Sequence, residues 1–253
     1  MNFTIQAACI SSRGLVRRNN EDNYYFNGVC LPAVHDDSTP LLTLEQSLSA
    51  PLFTAVFDGM GGENFGELAS FAAADRMRGL LEAKPSFRDA DGFLDELCQD
   101  LNRAVVAREE ELLTSRMGTT AAMILFSGDA AHVCNVGDSR IYLFRGGMLH
   151  QLSVDHVEEL PPAHRSRKAP LTQHLGIPED DFLIEPHIQS LALRRGDFFL
   201  ICSDGVTDML RDDEIGEILH RSASPSAAVL GLLDGALEAG GRDNITAIAC
   251  LAE

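Results

Sequence analysis

Positive charge is scarce in this chain: 20 lysines and arginines stand against 38 aspartates and glutamates, for a formal net charge of -18. So acidic a surface repels nucleic acid and anionic lipid, because both carry dense negative charge, and neither is expected as a partner. Long hydrophobic runs are also missing. No stretch approaches the roughly 18 apolar residues of a membrane-crossing helix. The opening Met1-Asn2-Phe3-Thr4-Ile5-Gln6 lacks the basic-then-apolar pattern of a secretory leader, which leads to the expectation of a cytoplasmic protein. The six cysteines (Cys9, Cys30, Cys98, Cys134, Cys202 and Cys250) form no CxxC pair. Several sit in apolar runs such as Phe199-Leu200-Ile201-Cys202, so buried reduced thiols are expected rather than disulfides or zinc ligands. With no internal repeat, the 253 residues suit a single domain spanning 1–253, monomeric by default.

What is present is an alternation of short apolar runs with longer helical patterns. Leu52–Phe57, Thr119–Phe126, Ala131–Val136, Ile141–Phe144, Phe198–Cys202 and Ile245–Leu251 read as strands, rich in β-formers and bounded by Gly, Asp or Asn. Arg145-Gly146-Gly147-Met148 reads as a hairpin turn. Helices are expected at about Phe65–Leu81 and Asp91–Leu113 with Pro85 between them, and at about Asp212–His220 and Pro225–Glu238, the last ended by Gly240-Gly241. The strands near residues 119–144 are joined too closely for helical crossovers, which predicts antiparallel sheet flanked by helices, an α+β chain. Two segments read as loops: Leu31–Pro51, and Asp155–Gln173 with Pro161-Pro162, Pro170 and the basic Arg165-Ser166-Arg167-Lys168.

The informative feature is where aspartate sits. Asp58 closes the run Phe53-Thr54-Ala55-Val56-Phe57 and precedes Gly59-Met60-Gly61-Gly62. Asp204 follows Phe198–Cys202 and precedes Gly205; Asp138 lies in Gly137-Asp138-Ser139-Arg140; Asp243 lies in Gly241-Arg242-Asp243-Asn244, just before the last strand. Any one of them reads equally well as a turn or cap residue bonding its neighbours' amides. Four strand-edge acids plus Glu21-Asp22 are harder to explain that way. If the strands are neighbours, their acids gather at one rim and repel one another unless cations intervene. Hard divalent ions with oxygen ligands are the natural remedy, and the glycine after Asp58 lets a peptide carbonyl reach such an ion as well. Two ions about 3.5–4 Å apart would activate water and polarise a phosphoryl oxygen, and Arg17 offers a planar fork for phosphate.

These motifs, taken in order, resemble the metal-dependent protein phosphatases, the type 2C serine/threonine family, and most closely its compact bacterial members. The resemblance runs through Gly14-Leu15-Val16-Arg17-Arg18-Asn19-Asn20-Glu21-Asp22-Asn23, Ala55-Val56-Phe57-Asp58-Gly59-Met60-Gly61-Gly62, Met117-Gly118-Thr119-Thr120 and Val136-Gly137-Asp138-Ser139-Arg140. It continues in Leu171-Thr172-Gln173-His174-Leu175-Gly176, Cys202-Ser203-Asp204-Gly205-Val206-Thr207-Asp208 and Arg242-Asp243-Asn244-Ile245-Thr246. It implies a four-layer α-β-β-α sandwich of two mainly antiparallel sheets with the metal site at one edge. It also implies hydrolysis of phosphoserine and phosphothreonine on proteins, products of a serine/threonine kinase. The implied cofactors are two Mn²⁺ or Mg²⁺ ions: Asp58 bridges both, Asp204 and Asp243 complete the first, Glu21 and the Gly59 carbonyl serve the second. Asp138 with Asp204 and Asp208 matches a third, weaker site. Asp22 corresponds to the acid that orients the attacking water, Arg17 to the arginine that holds the substrate phosphate, and Asn244 supports the geometry around Asp243. The implied chemistry is in-line attack of a metal-bridging hydroxide with no phosphoenzyme.

Two departures stand out. Met60 occupies a position where eukaryotic relatives often carry histidine, which leaves the acid for the leaving group unassigned. The loop after Asp155-His156 is shorter than the flap of most relatives; its basic run reads first as a solvated loop, and alternatively Arg165, Arg167 and Lys168 would attract acidic or multiply phosphorylated substrates. Two other functions compete: a phosphoprotein-binding module without turnover, which has no need of clustered repulsive acids, and a metal-dependent phosphodiesterase or nuclease, which the net charge disfavours.

Overall fold

The computed structural model describes residues 3–35, 38–60, 65–83, 89–114, 117–159 and 169–253. Strands and helices are numbered in chain order. One sheet has the spatial order β3 (Leu42–Ser47), β1 (Thr4–Ser12), β12 (Ile245–Ala252), β11 (Phe198–Cys202), β8 (Arg140–Arg145), β9 (Met148–Gln151). The other runs β10 (His187–Ala192), β7 (Ala130–Val136), β6 (Ala121–Ser127), β4 (Leu52–Met60), β2 (Asp22–Phe26), with the short β5 (Gly118–Thr119) paired to the end of β4. Every strand pair among the described residues is antiparallel, as the short connections require.

The sheets pack face to face, and each carries helices outside. Helices α1 (Gly66–Glu82) and α2 (Ala90–Glu111) cover the second sheet; α4 (Asp212–Arg221) and α5 (Pro225–Glu238) cover the first. The single turn α3 (Asp204–Thr207) follows β11 directly. Central strands are therefore buried on both faces, which is why they read as unbroken apolar runs. In β11, Phe199 and Ile201 enter the core between the sheets, while Leu200 and Cys202 face α5. In β4, Leu52 and Val56 point inward, whereas Phe53, Ala55 and Phe57 pack under α1 and α2. Burial of each large side chain of this kind contributes about 1.5–3 kcal/mol. Phe126 and Phe199 meet edge to face across the sandwich at 5.2 Å. Helix α5 starts where Ser224 accepts a hydrogen bond from the Ala227 amide (3.2 Å) and Pro225 sets the first turn.

The expected α+β sandwich and its four helices are present. The reading of Leu31–Pro51 as a loop is corrected: Leu42–Ser47 forms β3, an edge strand on β1. Only Leu42 and Leu44 pack against the core, so the strand has a single apolar face and weak sequence contrast. The expected strand Thr119–Phe126 is broken at Thr120, because Thr119 pairs with Gly59 while Ala121–Ser127 pairs with β7 and β4. Pro85, Pro161-Pro162 and the Arg165–Lys168 run lie outside the described residues; the ends of that last loop are joined by a bridge between Val157 and Leu171. All six cysteines are free thiols. No helix among the described residues is long and apolar enough to cross a membrane.

Antiparallel pairing sets the place of the site. The start of β2 lies beside the end of β4, the end of β11 beside the start of β12, and the end of β7 beside the start of β6. The acids flanking those strands are thereby delivered to one rim of the sandwich.

Candidate metal centre

Asp22 opens β2 and lies directly opposite Asp58 on β4. Antiparallel pairing of two acids is unfavourable without compensation. The Asp22 carboxylate turns into the sandwich, where it accepts a 2.7 Å hydrogen bond from the Ser203 hydroxyl, so it ties β2 of one sheet to the end of β11 in the other. Around it runs a buried polar chain. Thr246 N–H donates to Ser203 Oγ (3.0 Å), Thr246 and Ser11 share a hydroxyl bond (2.8 Å), and Asn20 Nδ2 donates to Ser11 Oγ (2.9 Å). Asp22 Oδ1 is buried and has no hydrogen-bond partner among the described residues. Burial is the main reason its carboxyl is pushed up to about 7; the Ser203 and Thr246 hydroxyls oppose the shift, and the charges of Asp243 and Glu21 add to it.

Glu21 is fixed through its backbone. Its N–H donates to Asn244 Oδ1 (2.8 Å), and its carbonyl accepts from Gly59 N–H (3.1 Å). The Asn244 amide also donates to the carbonyls of Arg13 (3.0 Å) and Asn19 (2.9 Å), so one side chain holds the whole Arg13–Glu21 turn against the start of β12. Asn244 N–H in turn donates to Asp243 Oδ1 at 2.9 Å. Two glycines make room. A Cβ on Gly59 would lie 2.1 Å from the Gly66 carbonyl oxygen, and one on Gly66 would lie 2.7 Å from Glu21 Oε2. A Cβ on Gly205, next to Asp204, would sit 1.8 Å from the Asn244 carbonyl oxygen. Asp204 and Asp208 are linked through α3, the Asp208 amide donating to the Asp204 carbonyl at 2.7 Å. Asp138 follows β7, whose end pairs with the start of β6. Its neighbour Ser139 shares a 2.7 Å hydroxyl bond with Thr120, whose N–H donates to the Asp58 carbonyl (2.9 Å).

Arg17 donates to Asp243 Oδ2 at 2.6 Å. Partial burial works against its cation, but the Asp243 bond and the charges of Asp243, Glu21 and Asp58 outweigh that and raise its pKa. Glu21 is raised too, first by burial, with Glu67 and Asp243 adding repulsion against the Asn19 bond and the Arg17 charge. Arg17, Glu21, Asp22, Asp58, Gly59, Asp243 and Asn244 are thus joined by these bonds and fields, while Asp204, Asp208 and Asp138 are brought to the same rim by the ends of β11 and β7.

Among the described residues no three His, Cys, Asp or Glu side chains stand close enough to close around an ion, and Arg17 supplies the countercharge. The donor set is nonetheless that of a hard divalent cation: carboxylates only, an unpartnered Asp22 oxygen, and a glycine-lined approach beside Glu21. The motif reading missed Ser11, Asn20, Ser203 and Thr246, which carry the buried chain. It also missed Glu67, joined to Glu21 through Asn19 Nδ2 (3.2 and 3.4 Å). Asn19-Asn20 beside the Glu21-Asp22 pair was the available signal for the last connection.

Comparisons with known proteins identify the family. Along 98% of its length the chain is 31% identical to the serine/threonine protein phosphatase PstP of Mycobacterium tuberculosis, of which it spans 45%. It is 30% identical to the serine/threonine phosphatase stp of Listeria monocytogenes over 94% of this chain and 92% of that one. A crystal structure of the catalytic domain of PstP in complex with two manganese ions superposes with a TM-score of 0.77 at 29% identity, covering 99% of both chains. Residues 34–234 match the family model of protein phosphatase 2C, and this chain belongs to that family.

Proposed function

We propose that this chain is a metal-dependent protein phosphatase, a phosphoric monoester hydrolase acting on phosphoserine and phosphothreonine in other proteins, with residues 1–253 as one catalytic domain. The observation that carries the reading is the gathering of Glu21, Asp58 and Asp243 around Arg17, near the buried Asp22, with Asp204 brought to the same rim at the end of β11. Repulsive acids beside one phosphate-sized fork are useful to a site that takes cations and a phosphoryl group together. The names of the mycobacterial and listerial relatives support the substrate class, and the manganese in the PstP catalytic domain supports the choice of ion. The listerial relative is matched over nearly its full length, which supports a catalytic unit of this size.

In this reading Asp58, Asp204, Asp243, Glu21 and the Gly59 carbonyl would hold two Mn²⁺ or Mg²⁺ ions, Asp58 being shared, Asp204 and Asp243 serving the first and Glu21 and Gly59 the second. Asp138, Asp204 and Asp208 offer a weaker third position. When bound, the ions lower the pKa of water and neutralise charge on the phosphoryl oxygens. The side chains do the rest. Arg17 grips two phosphate oxygens and fixes phosphorus for in-line attack by water, without a phosphoenzyme. Asp22, whose buried Oδ1 has no hydrogen-bond partner among the described residues, would orient that water. Asn244 keeps Glu21 and Asp243 in register through the bonds described above. Substrates are then the products of a serine/threonine kinase.

Hydrolysis of para-nitrophenyl phosphate and of a phosphothreonine peptide, measured with and without Mn²⁺ for wild type and Asp58→Asn, tests the proposal. Turnover that requires Mn²⁺, stops with chelator and disappears in the variant is the expected result. A folded, Mn²⁺-loaded wild type with no turnover on either substrate sinks it in favour of phosphoprotein binding alone.

A further inference from the structure

The Asp138 loop is stitched to the segment that follows β9 at three successive points. Asn135 and Val154 exchange two hydrogen bonds, Asn135 Nδ2 to the Val154 carbonyl (2.8 Å) and Val154 N–H to Asn135 Oδ1 (3.2 Å). Gly137 and His156 exchange two more: the Gly137 amide donates to His156 Nδ1 (3.1 Å), and the His156 amide donates to the Gly137 carbonyl (3.0 Å). Arg140 then grips Asp155 in a fork, Nε at 3.0 and 3.1 Å and Nη2 at 2.7 Å, while Gln151 Nε2 adds a 2.7 Å bond to the same carboxylate. Asp138 lies between the last two stitches.

The geometry points to Asp155 and His156 as positioning residues that hold Asp138 at the rim; this rests on the phosphatase reading above. Gly137 cannot hold the loop by itself. It sits at φ +100°, where only glycine is unstrained, and a Cβ there would lie 2.6 Å from Thr120 Cγ2. Its backbone groups therefore need outside partners, and His156 supplies both. Because Gly137 donates to Nδ1, the imidazole is neutral with its proton on Nε2, and burial favours that state by lowering the His156 pKa. The Arg140 fork fixes the other end of the motif by two charge-assisted bonds, the strongest type available to these groups. The same anchor reaches further. The His156 carbonyl accepts from Thr172 N–H (2.9 Å), and Glu158 N–H donates to the Pro170 carbonyl (2.9 Å). Both described ends of the loop over residues 155–173 are thus pinned to the place where Asp138 is held.

The test compares His156→Leu, which removes the Nδ1 acceptor, with His156→Asn, whose Oδ1 restores an acceptor near the same position. Hydrogen exchange is followed in EDTA over the peptide containing Gly137. Turnover of para-nitrophenyl phosphate in Mn²⁺ is followed in wild-type and Asp138→Asn backgrounds. His156→Leu should speed Gly137 exchange and lower kcat about tenfold with KM within about twofold, and His156→Asn should recover most of both. In the Asp138→Asn background the added loss should be under about twofold, because the clamp then has nothing left to position. Unchanged Gly137 exchange in His156→Leu, or full additivity with Asp138→Asn, overturns the inference. The exchange arm needs no turnover: an inactive wild type would overturn the phosphatase reading, and Gly137 exchange with Asn rescue would still decide the clamp.

Discussion

The rim has an inner and an outer layer, built on opposite terms. In the inner layer Asp22, Ser203, Thr246, Ser11 and Asn20 are buried, and hydroxyl and amide bonds link each to the next across both sheets. In the outer layer Glu21, Asp58 and Asp243 repel one another around Arg17, whose side chain is 47% exposed. Apart from the unpartnered Asp22 Oδ1, this buried network is linked by hydrogen bonds that hold backbone in place, so damage there falls on stability. Half-solvated like charges add little to stability and keep their freedom to take a ligand, so damage there falls on turnover.

The largest expected effect tests the outer layer. Asp58→Asn should leave the fold intact and reduce Mn²⁺-dependent turnover by about 10³-fold or more, as loss of the group proposed to hold both ions implies. A drop of less than about tenfold would mean that the outer acids are not the catalytic centre. Next in size is a break in the scaffold beneath. Gly205→Ala drives a Cβ to 1.8 Å from the Asn244 carbonyl oxygen, a contact with backbone that no rotamer relieves. It should destabilise by about 3 kcal/mol in urea unfolding. Unfolding at the wild-type midpoint would show that α3 and the start of β12 move apart freely, against the rigid inner layer described here.

The same contrast explains how much could be read from sequence. The outer acids were legible because aspartate at the end of an apolar run, beside glycine, is a rare enough coincidence to notice when it recurs. The inner layer was legible only at Asp22. Ser203 and Thr246 lie within motifs but showed no role there, Ser11 lies in none, and Ser11 meets Thr246 only because β1 pairs with β12. Strand β1 itself was missed, since Ala7, Ala8 and Cys9 are small residues divided between two cores and form no strong alternation. In β3 the alternation was there, Leu42 and Leu44 against Thr43 and Glu45, but it was short and flanked by prolines. Strand β10 was hidden for a related reason: an edge strand with exposed Gln189 and Ser190 carries few core residues. Central strands announce themselves because both faces are covered; edges and polar networks depend on partners far away in sequence.

Arg17 gives a middle-sized test that separates the layers within one residue. Its 2.6 Å bond to Asp243 is half-exposed, so Arg17→Ala should change unfolding stability by no more than about 1 kcal/mol. Loss of the phosphate grip proposed for Arg17 should lower kcat/KM on a phosphothreonine peptide about 10- to 100-fold. Arg17→Lys should recover only part of this, because an ammonium cannot span two phosphate oxygens in a plane. Full activity in the alanine variant would remove Arg17 from the outer layer's chemistry.

The smallest effect concerns the one acid that belongs to the inner layer. Burial raises the Asp22 carboxyl from its ordinary range to about 7, so the folded chain holds that proton more tightly than the unfolded chain does. The sign follows from linkage. The stability tied to this group is fully present below pH about 4 and is lost as pH rises through about 7. Asp22→Asn keeps an acceptor for the Ser203 hydroxyl and removes the ionisation. In chelator, the stability of Asp22→Asn relative to wild type should therefore increase by about 2–3 kcal/mol between pH 5 and pH 8. Added Mn²⁺ should reverse that ordering by favouring the ionised acids of the wild-type rim. A stability difference that stays flat with pH in chelator would show that water reaches Asp22 in the folded chain, and the division between a dry inner layer and a wet outer one would then have to be redrawn at Ser203.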